Sequence, residues 1–317
     1  MERDSTIYVA GHHGLVGSAL ERQLRARGFE HLVHRTHAEL DLIDAAAVEA
    51  FFAREQPQYV FLAAARVGGI LANNAYPADF IRENLQVQLN VVESAYRHHV
   101  RKLMFLGSAC IYPKLAPQPI REEHLMTGPL EPTNEPYAIA KIAGISLCQS
   151  YNRQFGTNYV SVMPTNLYGP GDSFNLQNSH VLPALLRRID EAKQRGSPAV
   201  TIWGTGTPRR EFLHVDDMAS ACIHLMVHYN SSEIINIGSG QEISIRDLAE
   251  RIQHLVRYQG RLEFDTSKPD GTPLRRLDIS RLLATGWSPR IGLDEGLAQT
   301  YRWYSENRGR LRTGHGE

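Results

Sequence analysis

The sequence is poor in cysteine and carries no excess of either charge. Its three cysteines (Cys110, Cys148 and Cys222) are too few for a disulfide framework and lack the paired spacing of a zinc site. We therefore expect a reducing compartment and no metal site. Lys+Arg and Asp+Glu number 34 each, which argues against a broad basic surface for nucleic acid or anionic membrane.

Long apolar runs are also missing. The run over residues 59–65 stops at Arg66, far short of the roughly 20 residues that a membrane span needs. The polar residues 1–6 lack the layout of a signal peptide. These features predict a cytoplasmic protein that binds neither nucleic acid nor membrane.

The first half of the chain alternates strand-like and helix-like patterns. Strands are predicted at residues 7–10, 31–34, 59–64, 102–106 and 159–163, and helices at 15–27, 44–54, 78–98 and 137–153. Such alternation predicts an α/β fold with a Rossmann-type, doubly wound parallel sheet. We expect this dinucleotide-binding domain to span residues 1–165, with a returning segment near 214–240.

The second half is less regular. Loops rich in Gly, Pro and Asn separate helical patterns at 182–195, 216–229 and 244–256. We expect residues 166–317 to form mainly a smaller α/β substrate-binding domain, with a frayed tail from residue 308.

A glycine-rich turn follows the first predicted strand. Its sequence is Gly11-His-His-Gly14-Leu-Val-Gly17, so the glycines have the spacing GxxGxxG. Glycines at this place let the backbone approach a pyrophosphate held at a helix N-terminus. The turn predicts dinucleotide binding, although a purely structural turn is the alternative.

The segment after the second strand lacks an acidic residue. NAD-specific sites usually carry an acid there to bind the ribose hydroxyls. The sequence instead reads His34-Arg-Thr-His37, so Arg35, His37 and His13 could line a pocket for a 2′-phosphate. This favours NADP(H), and a solvated basic loop is the alternative.

Tyr137 and Lys141 form a YxxxK motif on a predicted helix. Positions i and i+4 share one face, so we expect the ammonium to lower the pKa of the phenol. Such a tyrosine exchanges a proton with a carbonyl or alcohol during hydride transfer. Ser108, just beyond the fourth strand, could hydrogen-bond the same oxygen. An exposed helical pair is the alternative reading of a lone YxxxK.

These motifs together resemble the extended short-chain dehydrogenase/reductase family. The matching segments are Gly11…Gly17, Leu62–Ala65, Gly107-Ser108, Tyr137…Lys141, Pro164–Pro170 and Arg210–Asp217. The resemblance implies NADP(H) contacts at Gly11, His13, Gly14, Leu15, Val16, Gly17, Arg35, His37, Asp41, Leu42, Ala63, Ala64, Leu106, Gly107, Ser108, Lys141, Pro164, Asn166, Leu167 and His180.

Further segments resemble the members of that family that act on a GDP-linked keto-deoxy-sugar. They are residues 67–74, 108–113, 131–137, 178–183 and 268–273. The implied activity is 3,5-epimerisation followed by NADPH-dependent 4-reduction, which converts GDP-4-keto-6-deoxy-D-mannose to GDP-L-fucose.

Inverting C3 and C5 beside a ketone requires an acid/base pair beyond Ser108, Tyr137 and Lys141. Cys110 lies two residues after Ser108, so both point to one side if the chain is extended. The resemblance gives this role to Cys110 and His180, and His180 is singled out by the resemblance alone. It also implies substrate contacts at Arg188, Trp203, Arg210 and Asp270, although the arginines could be solvated surface charges.

Two features qualify the resemblance. Position 13 is His where many relatives carry Arg, and position 37 is also His, which predicts a weaker preference for NADPH over NADH. Three alternatives remain: a 4-ketoreductase, a 4-epimerase that recycles its cofactor, and a non-catalytic NADP-binding regulator. A 4,6-dehydratase usually carries Asp-Glu where this chain has Ala109-Cys110.

The long helices predicted at 78–98 and 137–153 carry apolar residues on more than one face. Relatives dimerise through a four-helix bundle built from the equivalent helices. The resemblance therefore implies a homodimer.

Overall fold

The computed structural model describes residues 1–176, 179–268 and 270–309. Asn178 and Pro269, which belong to segments quoted above, lie outside the described residues. So does most of the tail predicted from residue 308.

Strands and helices alternate through the first half of the chain, as predicted. The strands are β1 (Ile7–Ala10), β2 (Leu32–Val33), β3 (Tyr59–Leu62), β4 (Lys102–Leu106), β5 (Tyr159–Pro164), β6 (Asn166–Tyr168), β7 (Ala199–Trp203), β8 (Arg209–His214), β9 (Ile235–Ile237), β10 (Glu242–Ser244), β11 (Arg261–Asp265) and β12 (Leu274–Arg275). The helices are α1 (Leu15–Ala26), α2 (Ala45–Glu55), α3 (Ile70–Ala75), α4 (Pro77–Arg97), α5 (Glu135–Phe155), α6 (Val181–Arg195), α7 (Val215–His228), α8 (Ile245–Val256), α9 (Ser280–Ala284) and α10 (Leu293–Asn307).

The central sheet is parallel and has the strand order β2-β1-β3-β4-β5-β9. Strands β1, β3, β4 and β5 are buried along their whole length, as expected for a sheet covered on both faces. Helices α1 and α7 pack together on it, as do α4 and α5 with α2 beside α4. The predicted Rossmann-type α/β fold is confirmed.

A close crossing fixes α5, the helix that carries Tyr137 and Lys141. Gly144 lies at the crossing, where a Cβ would come within 2.3 Å of the Phe105 ring and 2.6 Å of Gln88 Oε1. The Gln88 amide of α4 donates a 2.7 Å hydrogen bond to the Ala140 carbonyl. Because Gly144 has no side chain, α5 can pack directly against β4 and β5.

A second, smaller core lies in the later half of the chain. It packs α6, α8 and α10 around two small sheets: β7 with β11, and β8 with β6, β10 and β12. Buried Glu211 of β8 links the two cores, since its carboxylate accepts hydrogen bonds from Leu277 N at 2.8 Å and Gly240 N at 2.7 Å.

Some later segments belong to the first core. These are α7, β9 and the apolar side chains of Leu277, Leu282 and Trp287. Across the described residues, no helix is both long and apolar enough to cross a membrane.

Candidate active site

The glycine turn after β1 leaves no room for side chains. Gly11 has a positive φ of 83°, and a Cβ on it would lie 2.8 Å from Ala64 N, at the end of β3. A Cβ on Gly17 would lie 2.1 Å from Gly11 O. Gly14 is the N-cap of α1 and offers no side-chain cap. The turn is therefore a bare backbone cradle at a helix N-terminus, which suits a pyrophosphate.

Of the two residues after β2 that were predicted to bind a 2′-phosphate, Arg35 forms an ion pair and His37 is exposed. Arg35 donates to Glu55 of α2 at 2.6 Å, so its charge is largely matched within the protein. His37 is exposed. The imidazole of His12 lies 4.0 Å from that of His13 and 4.4 Å from that of His34, centroid to centroid. Three histidine rings, rather than Arg35, thus line the end of the first two strands.

The other residues implied for cofactor contacts follow the strand ends of the central sheet. Ala63 N donates to Ala10 O at 3.1 Å, and Gly107 N donates to Val162 O at 2.8 Å. The Asn166 amide donates to Glu211 O at 2.9 Å, and Leu42 O accepts from Asn90 at 2.9 Å. Asp41 is exposed, and its carboxylate accepts from Ile43 N at 3.0 Å within its own turn.

Pro164 ends β5, and Leu167 lies on β6. Because parallel strands end at one edge of a sheet, Gly11, Ala63, Leu106 and Pro164 all lie along one edge.

Ser108 and Cys110 lie just beyond β4. Residues 109–111 form a short 3-10 helix that Ser108 caps, its hydroxyl accepting from Cys110 N at 3.3 Å. The extended chain expected here is therefore wrong. The tight turn nevertheless brings the Cys110 thiol to the Ser108 hydroxyl, because the serine oxygen caps the turn that holds the cysteine.

Lys141 is buried beneath Tyr137. Its Nζ donates a 2.7 Å hydrogen bond to Leu106 O and lies 5.9 Å from the centroid of the Tyr137 ring. Burial lowers the pKa of Lys141 to about 8, against a smaller opposing effect from Cys110. The hydrogen bond to Leu106 O holds the Lys141 amine at the end of β4. Ser108 and Cys110 follow the same strand end.

The expected depression of the Tyr137 pKa is wrong. Burial raises the pKa of Tyr137, Cys110 raises it further, and only the Ser108 hydroxyl lowers it. Desolvation disfavours the phenolate more than the neighbouring groups favour it. Tyr137 is thus a neutral phenol at physiological pH, which is the form that donates a proton.

Burial also raises the pKa of the Cys110 thiol. The Ser108 hydroxyl and the positive charges of Arg275 and Lys141 act in the opposite direction. Two cations thus lower the free-energy cost of forming a thiolate at this position.

His180 is the N-cap residue of α6, on the opposite unit of the chain. The residue as a whole is exposed, but desolvation of the imidazole lowers the pKa of His180, which favours the neutral form. That His180 faces Cys110 stays a prediction.

Trp203 and Arg188 line one cavity of about 290 Å³. The Arg188 guanidinium lies 5.9 Å and the Lys268 amine 5.7 Å from the Trp203 ring, which is 59% exposed. An exposed indole flanked by two cations can stack on a base. Lys268 lies in the matching segment 268–273, and no role was predicted for it.

Arg210 and Arg275 are neighbours in the parallel register of β8 and β12. Burial and the charge of Arg275 both lower the pKa of Arg210. Neither guanidinium makes an ion pair with a carboxylate among the described residues. Two unmatched guanidinium groups suit a pyrophosphate. The sequence prediction missed Arg275, because only the pairing of β12 with β8 brings it beside Arg210.

Asp270 is engaged within the protein. Its carboxylate accepts from Thr205 N at 2.9 Å and from the Thr205 hydroxyl at 2.7 Å. It thereby holds the turn that follows Trp203, so in this structure its contacts position the stacking residue.

Comparison with known proteins agrees with this geometry. The model of the NAD dependent epimerase/dehydratase family matches residues 7–238. The chain belongs to this family. GDP-L-fucose synthase 1 of Arabidopsis thaliana is 60% identical over 96% of this chain and 95% of its own length. GDP-L-fucose synthase of Escherichia coli (strain K12) is 57% identical, covering 96% of this chain and 98% of its own.

Solved structures extend the likeness. A GDP-L-fucose synthetase from Naegleria fowleri bound to NADP superimposes with a TM-score of 0.91, at 30% identity over 98% of this chain and 97% of that one. The resemblance to extended short-chain dehydrogenases and to GDP-L-fucose synthases is confirmed. As a member of the epimerase/dehydratase family, the chain is an enzyme that uses a nicotinamide cofactor.

Proposed function

We propose that this enzyme converts GDP-4-keto-6-deoxy-D-mannose to GDP-L-fucose by 3,5-epimerisation and NADPH-dependent 4-reduction. One observation carries the proposal: Ser108, Cys110 and Tyr137 are half-buried beside the buried Lys141, and the four side chains form one cluster at the end of β4. A reductase alone would have no use for the thiol. Relatives at 57–60% identity are GDP-L-fucose synthases by name.

The residues present fit the cofactor. The bare glycine cradle suits the pyrophosphate, and the buried Nδ1 of His12, which has no hydrogen-bond partner among the described residues, marks the adenosine end as a polar site. His13, Arg35 and His37 lie at that end. When bound, NADPH supplies the hydride for C4.

Epimerisation needs a stabilised enolate and a proton carrier on each face of the sugar. The hydroxyls of Ser108 and Tyr137 donate to the C4 oxygen as it gains negative charge. Cys110 takes the proton from C3 or C5 as the thiolate, whose formation burial opposes and the charges of Arg275 and Lys141 assist. We assign the return of a proton on the opposite face to the imidazolium form of His180, which desolvation makes less stable and which must therefore form within the catalytic cycle.

Reduction uses the same oxygen. As C4 receives hydride, the neutral Tyr137 phenol protonates the developing alkoxide, and its raised pKa keeps the phenol protonated until that step. Lys141, held by Leu106 O, stabilises the tyrosinate that results.

The GDP group would lie along the second unit. Arg210 and Arg275 bind the pyrophosphate, while Trp203 stacks on the base between Arg188 and Lys268. Asp270 keeps the Trp203 turn in place.

The enzyme would act as a homodimer through a four-helix bundle of α4 and α5. Leu89 on α4 and Ile139 and Phe155 on α5 are large apolar side chains that remain more than 40% exposed. We expect sedimentation to give twice the mass of the chain. A monomer at micromolar concentration would contradict the dimer.

The test is incubation with GDP-4-keto-6-deoxy-D-mannose and NADPH, with the product identified by NMR. The proposal expects GDP-L-fucose and one NADPH oxidised for each substrate consumed. A product reduced at C4 without inversion at C3 and C5 would make the protein a 4-ketoreductase. No NADPH oxidation at all would contradict the proposed function.

A further inference from the structure

A cavity of about 390 Å³ lies beside the packed helices α1 and α7. Its walls are the C-terminal end of α1, one face of α7 and the segment 286–290. Small-molecule sites usually have volumes of roughly 300–1,000 Å³, so the cavity is large enough for a ligand. None of the residues that line it belongs to the cofactor or sugar site.

The polar lining of this cavity is cationic. Two arginines, two histidines and two serines contribute to it: Arg27, Arg290, His224, His228, Ser220 and Ser288. No aspartate or glutamate is among the described residues that line it. A ligand that suits this lining therefore carries negative charge.

The hydroxyl of Ser220 on α7 joins the three walls. It accepts a hydrogen bond from Arg27 Nη2 at 3.3 Å and another from Trp287 Nε1 at 3.3 Å. The Ser220 proton has no acceptor within the part of the chain that the structure describes. The hydroxyl can therefore donate to a ligand, while its two contacts hold Arg27 and the segment 286–290 in place.

The two arginines have no counter-ion among the described residues. The Arg27 guanidinium donates only to uncharged groups: Ser220 Oγ, the Gln23 side chain and, at 3.0 Å, the Gln23 carbonyl. The Arg290 guanidinium makes no hydrogen bond or ion pair with any described residue, although the Arg290 backbone N–H donates to Asp217 at 2.9 Å. Burial lowers the pKa of Arg27, and the charge of Arg290 lowers it further. Two like charges that approach each other in this way are unfavourable without an anion.

A structural role explains one arginine and not the other. Arg27 directly follows α1, and a cation at the C-terminal end of a helix is favourable because the last carbonyls carry partial negative charge. The Arg290 guanidinium donates to no carbonyl among the described atoms, so helix capping gives no reason for its position.

We propose that this cavity is a second anion site, which binds a phosphate group through Arg27, Arg290 and Ser220. Guanidinium groups bind phosphate oxygens through paired, charge-assisted hydrogen bonds, and the serine hydroxyl adds a third donor. The exposed His228 side chain supplies a further N–H donor to the same cavity.

The site is separate from the glycine cradle that suits the cofactor pyrophosphate. That cradle lies at the N-terminal end of α1, whereas Arg27 lies just beyond its C-terminal end. The 12 residues of α1 span about 18 Å at a rise of about 1.5 Å per residue. A phosphate at Arg27 is therefore a different ligand from the cofactor bound at the cradle.

The experiment titrates two probes, inorganic phosphate and ribose 5-phosphate, into the full-length protein by isothermal calorimetry. NADPH and GDP are present at saturation, so that the cofactor and GDP sites are filled, and the ionic strength is held constant. We expect inorganic phosphate to bind with a Kd of the order of 1 mM, as two charged hydrogen bonds would give. Tighter binding of ribose 5-phosphate would identify the ligand as a phosphate ester, and equal or weaker binding would identify it as free phosphate.

Three variants locate the binding. Arg27→Met and Arg290→Met each remove one guanidinium and should weaken phosphate binding by about tenfold or more, as for a lost charged hydrogen bond. Arg25→Met is the matched control, because Arg25 lies in the last turn of α1 but is paired with Glu21 at 2.8 Å, so the affinity should not change. Arg290 is exposed and its guanidinium has no described partner, so Arg290→Met should keep the original thermal stability even if Arg27→Met does not.

The outcomes separate this inference from the proposed function. Absence of binding of both probes, or binding that Arg290→Met leaves unchanged, would overturn the second anion site. An equal loss of affinity in Arg25→Met would also overturn it, since the effect would then come from the overall charge of this surface. None of these results bears on the proposed function, which turnover of the keto-sugar tests independently.

Discussion

The catalytic end and the adenosine end of the cofactor cleft differ in what controls the charge of their side chains. Around Tyr137, burial dominates: it raises the pKa of Tyr137 and Cys110 and lowers that of Lys141. At the adenosine end, His13 and His37 are exposed. The protonation of the catalytic groups thus depends on burial and on neighbouring charges, whereas recognition at the other end uses exposed side chains.

This difference predicts separate kinetic consequences. Substitutions in the cluster of Ser108, Cys110, Tyr137 and Lys141 should change the rate at which bound substrate reacts. Substitutions at residues that bind the cofactor or the GDP group should change affinity.

Tyr137→Phe should have the largest effect. Loss of the proton donor should slow reduction by about 10² to 10⁴, the usual contribution of a general acid. Exchange of the C3 and C5 protons should fall much less, because Ser108 still contacts the enolate oxygen. NADPH oxidation and deuterium incorporation measured side by side check this. Reduction within tenfold of the original rate would contradict the role of the phenol.

Cys110→Ser should slow proton exchange more than reduction, the reverse of the effect expected for Tyr137→Phe. A serine hydroxyl is a far weaker acid than a thiol, so exchange at C3 and C5 should slow by about 10². Proton exchange followed by NMR is the measurement. Cys222→Ala is the control, since Cys222 is buried in α7 away from the cluster. Equal loss in the two variants would indicate a structural effect.

The rate should fall at alkaline pH. Lys141 has a pKa lowered to about 8, so its ammonium is present below that pH and is lost above it. Without the positive charge, the tyrosinate and the Cys110 thiolate are both less stable. We expect the turnover rate to decline by up to about tenfold per pH unit above this pKa. The Lys141→Met variant should have a low turnover rate at every pH, and this rate should not decline further at alkaline pH. An unchanged alkaline profile in that variant would assign the decline to another group.

Arg275→Met should affect both substrate binding and the catalytic end of the cleft, but modestly. Loss of its charge should raise the KM for the GDP-sugar by about tenfold, as for a lost charged hydrogen bond. It should also shift the pH dependence of proton exchange upward, because Arg275 lowers the pKa of Cys110. Arg276→Met is the matched control, since Arg276 faces Glu242 at 3.7 Å. Identical kinetics in the two variants would rule out a role for Arg275.

The sequence predicted the scaffold better than the electrostatics. Strands β1 and β4 have the predicted bounds, and the bounds of α1, α2, α4 and α5 differ from prediction by at most two residues. Periodic burial and the glycine turn are local signals, so they can be recognised in a single sequence. The short strands β7 and β11 were not predicted, because they pair only with each other and lie far apart in the sequence. Helix α10 was not predicted either.

The predicted Tyr137 pKa failed for a related reason. The spacing of Tyr137 and Lys141 is visible in the sequence, but the burial that outweighs it depends on the whole fold. Arg275 was not predicted as a site residue, because only the pairing of β12 with β8 places it beside Arg210.

The most direct test of the account is turnover of the GDP-linked keto-sugar with NADPH in deuterated water, read by NMR. The account predicts deuterium at both C3 and C5 of the product in the unmodified enzyme. In Tyr137→Phe it predicts continued exchange into unreduced substrate. Reduction without deuterium at either carbon would contradict the claim that one cluster at the end of β4 carries out both reactions.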